Sequence, residues 1–317
     1  MSTSVAVLGC GRIAHTHAAA IAKVSRATGL GFASRDAARA EEYRARYRGF
    51  ASYGSYEDAL EDQRVSAILI ATPPAQHLSL ARSALSVGKH VIVEKPAFLN
   101  TGDFDEVGKL ALAAGKQVFV AENYRYKPLT ACLLRLLAAE AVGPLRLIRL
   151  SALKLQSPTD WRAKAELAGG GALFEGGVHW VNLLDTLGGP VASAQGFRTG
   201  SEPLERTMVV VVKFTSGAIG TLHHSWAAPT RWKGLSLSQL IGEKGTIVFE
   251  SNGLFVGLHG SRRRLLFPGF RDVKGFGAMW RDFLNALATG VSPLMTLADA
   301  RRDMAVIEAA YRTATSS

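Results

Sequence analysis

The stretch VAVLGCGRIA, residues 5–14, decides the fold of this chain. An apolar strand ends in the segment GCGRIA, which matches the pattern G-x-G-x-x-G/A. Gly9 and Gly11 permit a tight turn and let a pyrophosphate approach backbone N–H groups, while the small Ala14 lets a helix pack on the strand. The pattern predicts a dinucleotide-binding turn. A tight strand-to-helix turn that binds no ligand is the alternative.

Short apolar runs alternate with longer amphipathic segments from Val5 to Ala121, which is typical of βαβ units. Because the runs are almost continuously apolar, we expect helices on both faces of a parallel sheet. The expected strands are 5–8, 30–33, 67–71, 90–93 and 117–121, and the expected helices are 14–23, 35–47, 75–86 and 101–114, with a helical turn at 56–60. The pattern predicts a doubly wound Rossmann domain over residues 1–122.

After Asn123 the pattern changes to longer segments in which apolar and polar residues alternate, as in strands with one buried face. The expected strands are 145–155, 192–199, 207–214, 218–226, 235–241 and 246–249, and the expected helices are 129–139 and 297–311. The second half therefore predicts an α/β domain over residues 123–317 with a large, mostly antiparallel open sheet. The fold class is α/β throughout.

The composition favours a globular protein with an anionic partner. The chain has 317 residues, 48% hydrophobic and 20% charged, enough for about two domains with sizeable cores. Its net charge of +11 suits nucleic acid, a membrane surface or a phosphorylated small molecule. The arginines are scattered, and the only tight basic run is RRR at 262–264. A small molecule is therefore favoured over nucleic acid, which would require a concentrated basic stripe.

Cysteine content and hydropathy suggest the compartment. Cys10 and Cys132 are too few for a disulfide framework or a thiolate metal site, so we expect no metal and a reducing, cytoplasmic setting. The first residues lack the basic start and long apolar stretch of a signal peptide. No apolar run approaches the ~18 residues that would span a bilayer, so no membrane partner is expected.

The end of the second expected strand bears on the choice of cofactor. An NAD site usually has a carboxylate about 20 residues after the glycine turn. Here the strand ends in Ser34-Arg35, and Asp36 follows. Ser34 can donate to a phosphate oxygen and Arg35 can pair with it, which favours NADP over NAD, with NAD still possible. The alternative is that Ser34 caps the next helix while Arg35 lies in solvent.

Two further segments follow strands at the edge where a doubly wound sheet binds ligands. ATPPAQH, residues 71–77, ends one strand and starts a helix, so its backbone can line a cofactor. EKP, residues 94–96, places Lys95 at the end of another strand, where a nicotinamide is expected. An ordinary surface lysine is the alternative for Lys95. We expect the Lys95–Pro96 bond to be cis, because a cis bond costs only about 0.5–1 kcal/mol before proline and would turn the lysine toward the cofactor.

A glycine-rich stretch in the second half, GGGALFEGGVHWVN at 169–182, runs into an apolar helix. If Glu175 and His179 are both helical, their spacing of four residues puts them on one face. The carboxylate could then orient the imidazole or tune its charge. An exposed Glu–His pair at a helix start is the alternative.

The order of these motifs resembles the Gfo/Idh/MocA oxidoreductase family. The segments that carry the resemblance are GCGRIA at 9–14, TPP at 72–74 with His77, EKP at 94–96, NYRY at 123–126, WR at 161–162, the stretch 169–182, and the closing helices 280–287 and 297–311. The resemblance covers almost the whole chain, and EKP is its most specific motif. Two positions depart from the family pattern, which usually has Asp at Glu175 and often Asp at Asn182.

The resemblance implies an NAD(P)-dependent enzyme that acts on sugars, cyclitols or related polyols, with Lys95 at the reacting carbon and His179 as the proton-transfer residue. Together with the arguments above, it assigns the catalytic residues as Lys95, His179 and Glu175, and the substrate residues as Lys95, Tyr124, Asn182 and His179. The assigned cofactor residues are Gly9, Gly11, Arg12, Ile13, Ala14, Ser34, Arg35, Thr72, Pro73, Pro74, His77, Glu94, Lys95, Asn123, Arg125, Trp161 and Arg162.

The predicted reaction is hydride transfer between nicotinamide C4 and a secondary alcohol or ketone. His179 is the first choice of base, and Lys95 would stabilise the alkoxide. The alternatives are a lyase or glycosidase that uses bound nicotinamide transiently, a catalytically silent nucleotide-binding regulator, and a nucleic-acid binder. The resemblance and the open sheet, whose second face needs cover, predict a homo-oligomer, either a dimer or a tetramer.

Overall fold

The computed structural model describes residues 3–230, 235–260 and 263–316. The chain divides into two compact units. The first comprises Met1–Asn123 and Phe276–Arg301, and the second comprises Tyr124–Gly275 and Arg302–Ser317. The domain boundary predicted at residue 122 places the whole remainder in the second domain, whereas residues 276–301 belong to the first unit.

The first unit contains a parallel sheet with helices between its strands. Its strands are β1 (Ser4–Leu8), β2 (Gly29–Ala33), β3 (Ala51–Tyr53), β4 (Ala67–Ile70), β5 (His90–Glu94) and β6 (Val118–Ala121). Its helices are α1 (Arg12–Val24), α2 (Ala37–Tyr47), α3 (Tyr56–Glu61), α4 (His77–Ser86) and α5 (Thr101–Ala114), with a 3₁₀ turn at Pro74–Gln76. Among the described residues the strand order is β3-β2-β1-β4-β5-β6, which confirms the predicted doubly wound parallel sheet.

The strands of the first unit are apolar because helices cover both faces of the sheet. Four residues of β1, Val5 to Leu8, and all four of β4 are completely buried. Strand β3 was not predicted, because three residues with a serine and a tyrosine give no apolar run. Helix α5 has the predicted limits: the Asn100 side chain accepts from Asp103 N at its start, and Gly115 ends it with a φ of 60°.

The second unit is built on a larger sheet. It contains α6 (Pro128–Ala138), β7 (Leu145–Leu153), α7 (Ala165–Ala168), α8 (Val178–Gly188), β8 (Val191–Arg198), β9 (Thr207–Phe214), β10 (Ile219–Ser225), β11 (Leu237–Gly242), β12 (Gly245–Glu250), β13 (Val256–His259), β14 (Arg263–Leu266) and β15 (Thr315–Ser316). Within the described residues the sheet order is β14-β13-β12-β11-β7-β10-β9-β8-β15. The pairs β7–β10 and β8–β15 are parallel and the other pairs are antiparallel, which confirms the predicted mostly antiparallel sheet.

Two helices complete the chain, α9 (Phe276–Thr289) in the first unit and α10 (Leu297–Thr313). The division between the units falls inside α10, at Arg301 and Arg302. The predicted strand 207–214 is found at those limits, whereas β13, β14 and β15 were not predicted. In the basic run 262–264, Arg262 lies outside the described residues and Arg263 begins β14. Within the described part of the chain, no helix has the length and apolar character that crossing a membrane requires.

The large sheet has one buried and one half-exposed face. Along β9, Met208, Val210 and Val212 are buried, whereas Val209 and Val211 between them are half-buried. The alternation is one of burial, because the sequence TMVVVVKF has apolar residues at all five of these positions. The sequence therefore places apolar side chains on both faces of β9, although the unit by itself covers only one.

Candidate active site

The glycine turn of the first unit links β1 to α1 in a conformation that needs glycine. Gly9 has a φ of 98°, and a Cβ at this position would lie 2.9 Å from the carbonyl oxygen of Ala71. Gly9 N donates to the carbonyl oxygen of Ala33 at 2.9 Å, and the Tyr43 hydroxyl donates to the carbonyl oxygen of Gly11 at 3.0 Å. The turn is therefore fixed from both sides by its own unit.

Gly11 shows why the turn fits a dinucleotide. No heavy atom lies within 4 Å of the point where a Cβ would stand, and φ is an ordinary −96°. The protein itself does not require glycine there, so the space suits a ligand that approaches the backbone. Close to Gly9, Thr72 has a buried Oγ1 without a hydrogen-bond partner among the described residues. An open cradle at a helix N-terminus and an unsatisfied hydroxyl both fit a phosphate-bearing cofactor.

The other predicted residues of the turn follow at the start of α1. Arg12 is exposed, Ile13 is half-buried and Ala14 is completely buried. Ala14 thus has the packing role expected of the last position in the pattern. Cys10 is also buried, and burial raises the pKa of its thiol to about 11, so the thiol is neutral at physiological pH.

The end of β2 has the composition that suggested NADP. Ser34 is buried and its Oγ accepts from Asp36 N at 3.1 Å, whereas Arg35 is exposed. Helix α2 begins after Asp36, whose carboxylate accepts from Arg39 N at 3.2 Å. The capping residue is therefore Asp36, so the alternative that made Ser34 the cap is wrong. The capping carboxylate is already engaged with its own helix.

The TPP segment and His77 lie between β4 and α4. Thr72 and Pro73 are half-buried and Pro74 is buried. His77 has no exposed surface, and both of its ring nitrogens lie against backbone carbonyls. Nδ1 is 3.1 Å from Pro96 O and 3.0 Å from Ala97 O, and Nε2 is 2.8 Å from Thr72 O. The assignment of His77 to direct cofactor contact is therefore corrected: a fully enclosed ring can only hold other residues.

The EKP segment ends β5. The Lys95–Pro96 bond is cis, which confirms the prediction made for it. Lys95 is half-buried and its backbone N donates to Glu94 Oε2 at 3.0 Å. The Glu94 side chain is buried, and its Oε1 lies 2.5 Å from His17 Nε2. The Glu94 carboxylate, which was assigned to the cofactor, thus accepts hydrogen bonds from residues of its own unit.

The sequence analysis missed His17 and its partner Trp280. His17 lies on α1 without exposed surface, and Trp280 Nε1 donates to its Nδ1 at 2.9 Å. The imidazole packs edge-on against Trp280 and Phe276, with centroid distances of 5.6 and 5.2 Å. The signal was a lone histidine in the apolar stripe that contains Ala14, Ala18 and Ile21.

In the second unit His179 lies in the first turn of α8 and stacks on Tyr124. Their rings are nearly parallel, at 10°, with centroids 4.2 Å apart. Lys127 Nζ is 3.9 Å from the centroid of the same tyrosine ring. Tyr124 belongs to the 3₁₀ turn Asn123–Tyr126, in which Asn123 is buried and Arg125 is half-buried. The proposed base thus lies beside the residue assigned to substrate.

The turn before α8 differs from the expected helix. Leu173–Gly177 is a π-helical turn, so Glu175 and His179 do not share one continuous α-helix and the four-residue spacing argument does not apply. Glu175 is buried, and its Oε1 accepts from Arg162 Nε at 3.0 Å. The Arg162 guanidinium lies 4.2 Å from the ring centroid of Trp161. The sequence motifs indicated Glu175, Arg162 and Trp161 separately, and in the structure the three side chains are in contact through Arg162.

A buried glutamate that the sequence analysis did not single out holds the glycine-rich stretch. Glu205 is 1% exposed, its Oε1 accepts from Leu173 N at 2.7 Å, and Tyr311 OH lies 3.0 Å from both carboxylate oxygens. A Cβ on Gly171 would stand 1.9 Å from Glu205 Oε2. Burial raises the pKa of Glu205, because the charged form loses hydration that three hydrogen bonds only partly replace.

Asn182 lies inside the second unit. It is 2% exposed, and its Nδ2 donates to Asp303 Oδ2 on α10 at 2.8 Å. The contact links α8 to the closing helix. The assignment of Asn182 to substrate stays a prediction. Across the described ranges, no cluster of three or more His, Cys, Asp or Glu residues suits a metal ion.

A dinucleotide-binding turn on a doubly wound sheet, followed by a unit with a large open sheet, defines the class of NAD-binding oxidoreductases. Comparison with known proteins supports this. Residues 3–122 match the oxidoreductase family with an NAD-binding Rossmann fold, and residues 131–248 match the GFO/IDH/MocA C-terminal domain. The chain belongs to the GFO/IDH/MocA family of oxidoreductases, as the motif order suggested.

Relatives agree with this membership. An uncharacterized oxidoreductase of Synechocystis sp., sll0816, is 28% identical over 82% of this chain and 74% of its own. The dTDP-3,4-didehydro-2,6-dideoxy-alpha-D-glucose 3-reductase of Saccharopolyspora spinosa is 29% identical over 78% of this chain and 74% of its own. The solved structure of levoglucosan dehydrogenase in complex with NADH superposes with a TM-score of 0.88 at 22% identity, covering 99% of this chain and 98% of that one.

Proposed function

We propose that this protein transfers a hydride between nicotinamide C4 and a secondary alcohol or ketone of a sugar, cyclitol or related polyol. The observation that carries the proposal is Lys95, a half-buried lysine at the carboxyl end of β5 in an NAD-binding unit. Ligands of doubly wound sheets bind at the carboxyl ends of the strands. A cation there can stabilise the negative oxygen that forms when a hydroxyl loses its proton.

The substrate class is supported by relatives. The Saccharopolyspora relative is named as a reductase of a dTDP-linked glucose derivative, and the name of levoglucosan dehydrogenase gives levoglucosan as its substrate. Both names describe the oxidation or reduction of a sugar derivative. The excess of basic residues, +11 in net charge, also favours anionic cofactors and substrates.

The residues of the chain have separate tasks in this proposal. A bound nicotinamide supplies the hydride acceptor or donor. His179 takes the hydroxyl proton during oxidation and returns it during reduction, with its ring orientation set by Tyr124. Lys95 stabilises the oxygen anion. Arg162, held between Glu175 and the face of Trp161, binds an anionic group of cofactor or substrate.

We propose NADP(H) as the preferred cofactor, because the exposed Arg35 follows β2 while the nearest carboxylate, Asp36, caps α2. Arg35→Ala should weaken NADP(H) binding by about 1.5–3 kcal/mol and leave NAD(H) binding unchanged. Titration of both cofactors against both proteins tests this. Equal affinities for the two cofactors in the unsubstituted protein would contradict the proposal.

Assembly and location also belong to the proposal. The half-exposed face of β9, with Val209 and Val211, suits burial against another copy of the chain in a dimer or tetramer. Sedimentation at micromolar concentration tests this, and a monomer would contradict it. The free, buried Cys10 and Cys132 suit the reducing cytoplasm.

Substitution of the two proposed catalytic residues tests the function. Lys95→Ala and His179→Ala should keep cofactor affinity within a few-fold and lose about 10²–10⁴ in turnover, because they remove acid–base and electrostatic catalysis but no cofactor contact to phosphate. The substrate comes from a panel of sugars and cyclitols read by NAD(P)H absorbance. Lys23→Ala and His259→Ala, at exposed positions, are the matched controls.

Near-normal turnover by both variants would overturn the assignment of these residues and favour a nucleotide-binding regulator. A substrate that is converted without net change in NAD(P)H absorbance would instead favour the lyase or glycosidase reaction. Both outcomes are distinguishable in the same assay when product formation is followed separately.

A further inference from the structure

We propose that His17 and His77 are positioning residues that hold the peptide segment of Lys95 from its two sides. This inference rests on the proposed role of Lys95 in the reaction. Neither histidine has exposed surface, so neither ring is available to substrate or cofactor. Both act through the segment Glu94-Lys95-Pro96-Ala97.

The first side is a directed chain of hydrogen bonds that starts on α9. The indole N–H of Trp280 donates to His17 Nδ1, so Nδ1 is the unprotonated nitrogen. His17 therefore carries its proton on Nε2 and donates it to Glu94 Oε1. The other oxygen, Glu94 Oε2, accepts from the backbone N of Lys95. Trp280 thereby fixes the tautomer of His17 that Glu94 requires.

The second side is the contact of His77 with the carbonyl oxygens after Lys95. His77 Nδ1 lies 3.1 Å from Pro96 O and 3.0 Å from Ala97 O, within reach of a proton shared between them. Its Nε2 lies 2.8 Å from Thr72 O. A neutral imidazole has one N–H, so the ring donates either to the EKP segment through Nδ1 or to the TPP segment through Nε2, and the proposal requires the Nδ1–H tautomer. The backbone is therefore contacted at the N–H of Lys95 and at the carbonyl oxygens of the two residues after it.

Such anchoring matters because catalysis depends steeply on placement. A displacement of about 1 Å at the reacting group can cost on the order of 10² in rate. A lysine on a long flexible stem is placed accurately only if its backbone is fixed. The contacts of His17 and His77 supply that fixation from two rings without exposed surface.

The test uses the different lengths of asparagine and glutamine. A glutamine amide reaches the position of histidine Nε2, whereas an asparagine amide occupies that of Nδ1. His17→Gln should preserve the donor to Glu94 and keep turnover within about three-fold, while His17→Asn should lose about 10–100-fold. At the second site the pattern should reverse, with His77→Asn near normal and His77→Gln impaired, because the contact to Pro96 and Ala97 comes from Nδ1.

Cofactor affinity, melting temperature and kcat are measured for all four variants, with His259→Asn as the exposed control. The same histidine changes are then made in a Lys95→Ala background. If they act through Lys95, His17→Asn costs little further turnover once Lys95 is absent, whereas a general loss of structure would lower the rate by the same factor in both backgrounds. Equal factors would overturn the proposal.

A readout without catalysis separates this inference from the proposed function. Competitive acetylation followed by mass spectrometry compares the reactivity of Lys95 with that of the exposed Lys23 in each variant. His17→Asn and His77→Gln should change the ratio at least two-fold, and His17→Gln and His77→Asn should not. An unchanged ratio in all variants would refute positioning, even if Lys95 proves catalytic. If the acetylation ratio changes as expected but Lys95→Ala is fully active, the positioning of Lys95 is supported and only its proposed catalytic role is refuted.

Discussion

Two glycine-rich segments, one in each unit, differ in what surrounds the position where a Cβ atom would stand. At Gly11 the space where a Cβ would stand is open to at least 4 Å. At Gly171 the corresponding space is filled by the carboxylate of Glu205, 1.9 Å from the Cβ position. The first glycine leaves room for a ligand and the second leaves room for the protein itself. Similar sequence composition therefore leaves an open space beside Gly11 in one unit and a closely packed one beside Gly171 in the other.

The sharpest test of this comparison is Gly11→Val, which should have the largest effect. An isopropyl group would occupy the space proposed for the pyrophosphate, so we expect at least a 100-fold loss of cofactor affinity. Folding should be little affected, because φ is ordinary and a Cβ at this position has no heavy atom of another part of the chain within 4 Å. Isothermal titration and a melting curve measure the two quantities.

Gly9→Ala is the control for this prediction. It forces a side chain onto a φ of 98° and against Ala71 O, so it should lower the melting temperature, unlike Gly11→Val. If Gly11→Val bound cofactor normally, the open space would have no role in binding and the contrast between the two glycines would disappear.

An intermediate effect is expected for Gly171→Ala in the second unit. The methyl group collides with Glu205, whose carboxylate is held by Leu173 N and Tyr311, so the collision cannot be relieved by a free rotation. Overpacking of this kind costs about 1–3 kcal/mol in the free energy of unfolding. Urea unfolding measures it.

Cofactor affinity of the Gly171→Ala protein, measured where it is folded, should stay within a few-fold of normal. A protein with unchanged stability would show that Glu205 moves aside readily. In that case the second glycine would be no more constrained by packing than the first.

The smallest effect concerns the pH dependence of stability through Glu205. Burial raises its pKa in the folded state above the value of 4.5 that an unperturbed glutamate has. Folding therefore favours the protonated form, so its contribution is fully present below pH 4.5 and is lost as the pH rises through the folded pKa. The Gln side chain of Glu205→Gln does not titrate. The melting temperature of this variant, relative to that of the unsubstituted protein, should therefore rise as the pH increases above 4.5.

The measurement is the difference in melting temperature between the two proteins at several pH values from 4.5 upward. The Gln side chain still offers an oxygen to Leu173 N, so the hydrogen bond is matched. A constant difference across this range would contradict the raised pKa.

The two units also differ in how much of their structure could be predicted from the sequence. Helix α5 and strand β9 were predicted to the residue, because their periodicity and end signals are local. The candidate site of the first unit was predicted from strand ends, since the topology of a doubly wound sheet brings these ends together. EKP and the glycine turn could therefore be proposed from the sequence alone.

The site of the second unit was predicted less well. The residues Glu175, Arg162 and Trp161 were named, but the pairing of Glu175 with Arg162 depends on a π-helical turn. A shift from i→i+4 to i→i+5 hydrogen bonds leaves no mark in the hydrophobic period. The partners of buried polar groups, such as Glu205 with Tyr311, are separated by over a hundred residues and have no local signal.

The return of residues 276–301 to the first unit has a consequence for dissecting the chain. Trp280 and Phe283 cover His17 and Phe119, with Phe283 stacked on Phe119 at 5.1 Å. A gene fragment that stops at Asn123 would expose this apolar surface and leave His17 without its donor. Any attempt to exchange the nucleotide module with that of another enzyme must therefore transplant two separate segments of the gene, or graft α9 onto the end of the first.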